Sequence, residues 1–280
     1  MKTILVPTDF SEAANNAADY AANFAKEINA KVLLFHVYHM PTTIAEVPIM
    51  IITPAELLKE NEALLNKEVK RLTKKGGVEI KHLAKMGFAI DEILKEEKNA
   101  DFIVMGMKGA NKLSDALMGS ITTEMLRKAN IPILVIPEKA HYKKPEKIVF
   151  ACDYNPKTDA HALDALKMVA KTIGSKIDVL NIKHEKSLVQ VEEAVERTHI
   201  KNELNGIEHV HYFYEKNDLA EGINEFVKVH HADLVALIPH RYNLMERLFH
   251  KSISKKMVFH SHVPMLCLPD NHKSIPAYFF

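Results

Sequence analysis

The sequence has little of what marks a secreted or membrane-spanning protein. Only two cysteines, Cys152 and Cys267, occur among 280 residues, too few for a disulfide framework and in keeping with a reducing compartment. No apolar run approaches the roughly 18 residues of a spanning helix. The apolar start is short and ends at Asp9, which argues against a signal peptide. We therefore expect a soluble, cytoplasmic protein without a membrane partner.

An excess of charge of either sign is also absent. The chain has 37 lysines and arginines against 36 aspartates and glutamates, a formal net charge of +1. No global field would recruit nucleic acid or an anionic membrane surface, so we expect neither as a partner. Hydrophobic residues make up 47% and charged residues 26%, the balance of a globular protein. At roughly 100–200 residues per domain, the length suggests two domains.

What the sequence does contain is an internal repeat, which is informative because a repeat decides the architecture. Residues 4–9 recur as 148–153, and two later segments recur without a gap, 100–105 as 232–237 and 131–137 as 263–269. The two later pairs share one offset, whereas the first pair lies further apart. The second copy is therefore shorter than the first.

The difference in length indicates an extra segment in the first copy. Residues 41–54, rich in proline and isoleucine, have no clear counterpart in the second copy and are predicted to form a long loop. The polar residues 141–146 form the natural linker. We expect two domains, residues 1–140 and residues 146–270.

Strand and helix patterns alternate within each copy. Apolar runs such as residues 32–37 indicate buried strands. Helical patterns in the first copy cover residues 12–29, 55–75, 91–98 and 120–129. Alternation of this kind predicts parallel strands joined by right-handed crossovers. The predicted fold class is α/β: two tandem doubly wound domains, each with a five-stranded, mostly parallel sheet flanked by helices.

Glycine is scarce, with nine in the chain, yet three of them have a spacing that suits a phosphate. Gly106 and Gly109 follow an apolar strand, and Gly119 with Ser120 opens a helix. Without a Cβ, backbone N–H groups can approach phosphate oxygens closely, and a helix start adds N–H groups and the positive end of the helix dipole. The alternative interpretation is that these are unrelated turn and helix-cap glycines.

Three charged residues in or near this loop have two interpretations each. Asp9 ends the first strand at the same edge of the sheet, where a carboxylate could accept hydrogen bonds from ribose hydroxyls. It could instead cap the helix that starts at Glu12, a task that Ser11 could perform as well. Lys108 and Lys112 could neutralise a triphosphate or could simply be solvated.

Taken together, these residues resemble the ATP-binding branch of the universal stress protein family. The resemblance rests on residues 6–11, on the strand that ends in His36 and Val37, on the glycine motif and on residues 132–137. It covers nearly the whole chain as a tandem pair and implies an adenine nucleotide alpha-hydrolase-like fold. Family members commonly pair through their last strands, which in a tandem protein would occur within one chain.

The resemblance also implies a ligand and its contacts. Adenine would lie near the ends of the first two strands, ribose near Asp9 and Gly106, and the phosphates at the glycine loop, with ATP accompanied by Mg²⁺. The residues expected to hold the nucleotide are Pro7, Thr8, Asp9, Val37, Met105, Gly106, Lys108, Gly109, Gly119, Ser120, Ile121 and Thr122.

The second copy departs from the motif. Ile238, Arg241 and Lys251 stand where the first copy has its three glycines, and only Ser252 remains, opposite Ser120. Side chains at these positions would crowd the space that a phosphate needs. Asp153 persists opposite Asp9 and is expected to be structural. We therefore predict one nucleotide site per chain, in the first copy.

Other chemical signals are weak. Walker, nucleophile-elbow and HExxH motifs are absent, and no positioned general base is visible, so fast ATP hydrolysis is not supported. Thirteen of the 16 histidines follow position 140. His209 and His211 would share one strand face, as would His260 and His262, but the companions of a Zn²⁺ ligand set are not at hand. Cys152 is interpreted as apolar filler rather than a redox group.

The leading hypothesis is therefore an ATP-binding stress or signalling protein rather than a metabolic enzyme. Its partner would be an adenine nucleotide, with a homodimer of the whole chain left open. One alternative is a slow ATPase or adenylyl-transfer enzyme on the same fold. The other is a nucleotide-free scaffold in which both copies serve assembly.

Overall fold

The computed structural model describes residues 1–40, 53–74, 76–108, 118–152, 163–183, 191–238 and 262–269. The strands are β1 (Lys2–Pro7), β2 (Ala30–Tyr38), β3 (Ile80–Met86), β4 (Phe102–Gly106), β5 (Ile133–Ile136), β6 (Lys147–Ala151), β7 (Lys176–Lys183), β8 (His209–Glu215), β9 (Leu234–Leu237) and β10 (Met265–Cys267). The helices are α1 (Glu12–Glu27), α2 (Pro54–Thr73), α3 (Ala89–Glu96), α4 (Ser120–Lys128), α5 (Asp164–Ile173), α6 (Val191–Glu203) and α7 (Leu219–His230).

The helix ends follow local chemistry. The Ser11 hydroxyl caps α1 by accepting from the Ala14 N–H, and the chain leaves this helix at Asn29, whose φ of 51° is left-handed. Thr53 begins α2 with a reciprocal capping box to Glu56, so the last residues of the predicted loop 41–54 belong to this helix, and residues 41–52 lie outside the described part. In the described ranges, no helix is both long and apolar enough to cross a membrane.

The ten strands form one sheet. Their order is β3-β2-β1-β4-β5-β10-β9-β6-β7-β8, so each half contributes five strands in the same spatial order. All neighbours are parallel except β5 and β10, which pair antiparallel at the centre. This confirms the predicted fold class and the count of five strands per copy. It also confirms that the two copies pair through their last strands.

The repeat extends to individual hydrogen bonds. In the first copy, the Asp101 carboxylate accepts from the Thr3 N–H at 2.8 Å, and the Asp101 N–H donates back to the Thr3 carbonyl at 2.9 Å. In the second copy, Asp233 and Lys147 exchange the same two bonds, at 3.1 and 2.9 Å. The offsets seen in the sequence therefore correspond to equivalent places in the fold.

The core has two layers, one on each face of the sheet, and each layer spans both copies. Ile4 and Val6 of β1 pack in one layer with α1 and with Phe150 of the second copy's β6. Leu5 faces the other layer, which also holds Leu237 of β9. Alternation along β1 sends successive side chains to opposite faces. The two copies thus share continuous apolar layers rather than two separate cores.

Leu266 tests how much this shared core depends on the short strand β10. The side chain is 1% exposed and lies in a strand paired on both sides, by β5 and β9. Leu266→Ala should lower the free energy of unfolding by about 2–5 kcal/mol because it leaves a cavity, measured by chemical denaturation. Val229→Ala on α7, where the side chain is 64% exposed, should change it by no more than about 0.5 kcal/mol. Equal losses would contradict a packed joint.

Candidate functional site

The predicted site residues at strand ends meet at one edge of the sheet. β1 lies between β2 and β4, and all three are parallel, so their carboxyl ends share that edge. Pro7, Val37 and Gly106 lie at or near those ends. The connection order reverses at β1, which makes this edge the switch point where ligands of open α/β sheets bind.

The segment after β1 is fixed to β2 by polar and aromatic contacts. The Thr8 N–H donates to the Phe35 carbonyl at 2.8 Å. The Thr8 carbonyl in turn lies 2.7 Å from Nδ1 of His36, so that nitrogen carries a proton. Phe10 is left-handed, with a φ of 62°, and its ring centroid lies 4.5 Å from that of His36. The chain therefore turns sharply just where the predicted ligand contacts begin.

Asp9 is exposed and belongs to this turn. Its Oδ1 accepts from the Ser11 N–H at 3.0 Å, while the Ser11 hydroxyl accepts from the Ala14 N–H at 3.2 Å. Ser11, not Asp9, is therefore the cap of α1, and the alternative interpretation of Asp9 as that cap is wrong. The contact between Asp9 and ribose stays a prediction.

Gly106 is a glycine for a reason that the motif did not indicate. A Cβ at this position would lie 2.9 Å from the carbonyl oxygen of Ala13 and 3.1 Å from that of Lys108. The first turn of α1 thus crosses the end of β4 at backbone contact. Any larger residue would push helix and strand apart, whether or not a ligand is bound.

The first turn of α4 is held onto the end of β4 by two hydrogen bonds. The Gly119 N–H donates to the Met107 carbonyl at 2.8 Å, and the Thr122 hydroxyl donates to the Gly106 carbonyl at 2.9 Å. Thr122 is buried, so its side chain positions the helix rather than facing solvent. The hydroxyl of Thr122 is therefore not available to a nucleotide. A contact through its backbone N–H stays a prediction.

The start of α4 differs from the other helix starts that the structure describes. α1, α2 and α7 each have a side-chain cap, from Ser11, Thr53 and Asp218. α3 and α5 have acidic residues in their first turns. α4 has neither: its cap residue is Gly119, and its first turn contains no acid. First-turn N–H groups lack partners within a helix, and they give this end a positive potential. No side chain of α4 or of Gly119 offsets that potential.

The remaining predicted residues occupy varied environments. Ser120 and Ile121 are exposed, whereas Pro7, Val37 and Lys108 are partly buried. Met105 is 5% exposed and packs in the core, so only its backbone is available at the edge. Gly109 and Lys112 lie outside the described residues.

In the second copy, the equivalent edge keeps the scaffold but not the glycine. Ile238 takes the place of Gly106 and is 5% exposed. The amide of Asn181 donates to the Cys152 carbonyl at 3.0 Å, the same contact that His36 makes with Thr8. Positions 153, 241, 251 and 252 lie outside the described part of the chain. The described residues therefore show a buried isoleucine at the strand end where the first copy has a glycine.

The histidine pair of β8 does share one face, as predicted. The rings of His209 and His211 lie 5.5 Å apart, edge to face. Burial, together with the nearby His209, Arg197 and Lys201, lowers the pKa of His211 to about 4. Among the described residues, no three histidines, cysteines or carboxylates come together in a way that could hold a metal ion. His260 lies outside those residues.

Two functional features were missed by sequence reasoning. The contact of Phe10 with His36 depends on a left-handed phenylalanine, which local sequence rarely predicts because bulky residues disfavour that conformation. The tie from Thr122 to Gly106 joins residues 16 positions apart and has no local signal beyond a threonine in a first helical turn.

His211 should make the protein sensitive to mild acid. The folded pKa of about 4 lies below the ordinary value of 6.5, so the unfolded chain binds more protons between these values. The contribution to stability is complete above pH 6.5 and is lost as the pH falls towards 4. Denaturation midpoints at pH 7 and pH 4.5 should therefore differ less in His211→Gln than in wild type. His231→Asn, at an exposed turn, should leave the difference unchanged; an equal response of both variants would argue against this origin.

Gly106→Ala tests the close approach of α1 to β4. We expect a loss of about 1–3 kcal/mol in the free energy of unfolding, because backbone atoms cannot move aside cheaply. Gly222→Ala is the control: its Cβ would lie 2.8 Å from Cδ1 of Ile182, a methyl group that can rotate, and alanine favours the helix. Urea denaturation should show a loss for the first variant and none for the second. The opposite ranking would mean that α1 and β4 are not in contact.

The chain is similar in sequence and in fold to universal stress proteins. Universal stress protein MJ0531 of Methanocaldococcus jannaschii is 36% identical over 151 residues, covering 52% of this chain and 84% of the relative. Universal stress protein MJ0577 of the same organism is 30% identical over 155 residues, covering 49% and 96%. A solved universal stress protein from Archaeoglobus fulgidus is similar in fold over 96% of both chains, with a TM-score of 0.70 and 20% identity. The family model matches residues 1–137 and again residues 145–269, and the chain therefore belongs to the universal stress protein family as a tandem member.

Proposed function

We propose that the first copy binds ATP at the edge formed by β1, β2 and β4, and that the chain acts in a stress response or in signalling. The observation that carries this proposal is the first turn of α4. It lacks a side-chain cap and an acidic residue, and two hydrogen bonds hold it against the end of β4. An anionic group is the ligand that such a helix start favours.

The phosphates would lie at this helix start. The N–H groups of Ser120 and Ile121 lie in the first turn of α4, where these two residues are exposed, and the Ser120 hydroxyl adds a donor. The dipole of α4 favours negative charge at the same end. Gly119 leaves the approach open, and Gly109 and Lys108 complete the proposed phosphate loop.

The sugar and base would extend from there across β1 towards β2. The exposed carboxylate of Asp9 is an acceptor suited to ribose hydroxyls, and Met105 and Gly106 offer backbone groups beside it. Pro7, Thr8 and Val37 would contact the adenine, since Pro7 and Val37 provide partly buried apolar surface. The turn at Phe10 keeps these groups in one arrangement before any ligand arrives.

Mg²⁺ would be bound chiefly by the phosphate oxygens and water. This ion usually takes only one or two protein ligands, and Asp9, an exposed residue, supplies the carboxylate among the proposed site residues. The proposal does not require a protein cage for the metal.

The second copy would contribute no nucleotide site. Ile238 fills the position of Gly106 and is buried, so the close backbone approach of the first copy is replaced by a side chain. We propose domains at residues 1–140 and 146–270, of which only the first binds ATP. Occupancy of the first domain would become a signal by favouring one arrangement of the chain or its partner.

Calorimetric titration of nucleotide-free protein with Mg-ATP tests the proposal. We expect about one ATP per chain and a weakening of at least tenfold, or about 1.4 kcal/mol, in Gly119→Val. The backbone at Gly119 has φ of −65° and ψ of 152°, which valine adopts without strain, so this variant should fold. Ser252→Ala, the equivalent of Ser120 in the second copy, is the matched control and should bind as wild type.

Two results would count against the proposal. The absence of heat with ATP, together with the absence of nucleotide released from freshly purified and denatured protein, would favour a nucleotide-free scaffold. Equal weakening by both variants would place the ligand elsewhere.

A further inference from the structure

Asp9 lies between two residues that are both contacted by the side chain of His36. Nδ1 of His36 donates to the carbonyl oxygen of Thr8 at 2.7 Å, directly before Asp9 in the chain. The ring of the same histidine contacts the ring of Phe10, directly after Asp9, with centroids 4.5 Å apart. One side chain of β2 therefore holds the chain on both sides of the carboxylate that the proposed function assigns to ribose.

The backbone at Phe10 needs such support. Its φ of 62° is a left-handed conformation that bulky residues disfavour, and a conformation of this kind persists only where the surroundings enforce it. The Phe10 N–H donates to Oγ1 of Thr8 at 3.0 Å, and the Phe10 carbonyl accepts from Nδ2 of Asn15 at 3.3 Å. Strained residues cluster at ligand-binding sites, so the turn that contains Asp9 has the character of a pre-formed binding element.

His36 is itself fixed in position. It belongs to β2, where it lies opposite Ala84 of β3 in the parallel register. Its ring is partly buried and also stacks with the ring of Tyr38, with centroids 6.4 Å apart and an angle of 22° between the planes. Rotation of the ring would break the hydrogen bond to Thr8 and both ring contacts together. The side chain is therefore a fixed support for the turn.

The second copy shows which of these contacts is common to both copies. The Cys152 N–H donates to the Leu180 carbonyl at 2.9 Å, the same contact that follows β1 in the first copy. Nδ2 of Asn181 donates to the Cys152 carbonyl at 3.0 Å, in the place of His36. An amide has no aromatic ring, so the common element is a side-chain N–H donor to the carbonyl that follows the strand.

We propose that His36 is a positioning residue of the nucleotide edge, and that its hydrogen bond to Thr8 holds the Asp9 carboxylate where it accepts from the ribose hydroxyls. The inference rests on the proposed function and adds to it a preference for ligands that carry those hydroxyls. His36 acts through Asp9 and not through a contact of its own with the nucleotide. The ring contact with Phe10 supports the same turn, whereas the hydrogen bond is the part that an amide can replace.

Calorimetry on the full, nucleotide-free chain tests this role with two probes, Mg-ATP and its 2′,3′-dideoxy analogue, which lacks both ribose hydroxyls. Wild type should bind ATP about tenfold more tightly than the analogue, because the analogue cannot donate to the charged acceptor. In His36→Leu, which removes the N–H donor, this ratio should fall to about twofold or less, because the hydroxyls and His36 are coupled through Asp9. A merely structural defect would weaken both ligands equally and leave the ratio as in wild type.

His36→Asn is the conservative variant, since the second copy shows that an asparagine reaches the equivalent carbonyl. It restores the donor and should keep a ratio of at least about fivefold. The matched control is His82→Leu, the same chemical change at a partly buried position in the middle of β3. That residue is not part of the proposed site, so the ratio should equal that of wild type.

The possible results separate this inference from the proposed function. Absence of ATP binding by the wild type overturns both. If the wild type binds ATP, the positioning role alone is overturned by an unchanged ratio in His36→Leu, or by a ratio in His36→Asn as low as that in His36→Leu. Equal binding of the two probes by the wild type, or an equal fall of the ratio in His82→Leu, overturns it as well.

Discussion

The antiparallel pairing of β5 with β10 is the constraint on which the rest of the molecule depends. β10 has three residues, yet it is the strand through which two parallel five-stranded arrays become one sheet. Parallel strands are normally buried on both faces, and here the core layers on both faces continue across the joint. Each apolar layer therefore continues from one copy into the other.

The second constraint is the crossing of α1 over the end of β4, which links the core to the proposed site. Backbone contact at Gly106 places the first turn of α1, with its cap Ser11 and the turn at Asp9, directly beside the end of β4. The same helix also holds the chain segment that leads to the second copy, because Nδ2 of Asn16 donates to the carbonyl oxygens of Pro137 and Ala140. A single helix thus connects the proposed nucleotide edge with the linker, and side chains on it cannot change freely without affecting packing.

Much of this could be predicted from the sequence because it depends on periodicity. The repeat predicted two equivalent copies, the alternation of strand and helix patterns predicted five strands in each, and the position of Gly106 after an apolar strand predicted the edge of the proposed site. What depends on three-dimensional crossing could not be predicted: the carbonyl of Ala13 explains Gly106, and the hydroxyl of Thr122 serves the strand. Asn16 of α1 is visible in the sequence, but its contacts with the carbonyls of Pro137 and Ala140 are known only from the structure.

Comparison of the two copies shows which contacts of the fold can be made by more than one type of residue. The carbonyl that accepts from His36 in the first copy accepts from Asn181 in the second, and the helix tie of Asp19 with Arg71 has a charge-reversed counterpart in Lys167 with Glu203. Scaffold contacts thus tolerate replacement, whereas Gly106, which is in backbone contact with Ala13, has a buried isoleucine, Ile238, as its counterpart. The second copy has a structural role whether or not it binds a nucleotide, because β5 would otherwise be an apolar strand at an open sheet edge, a surface prone to wrong pairing.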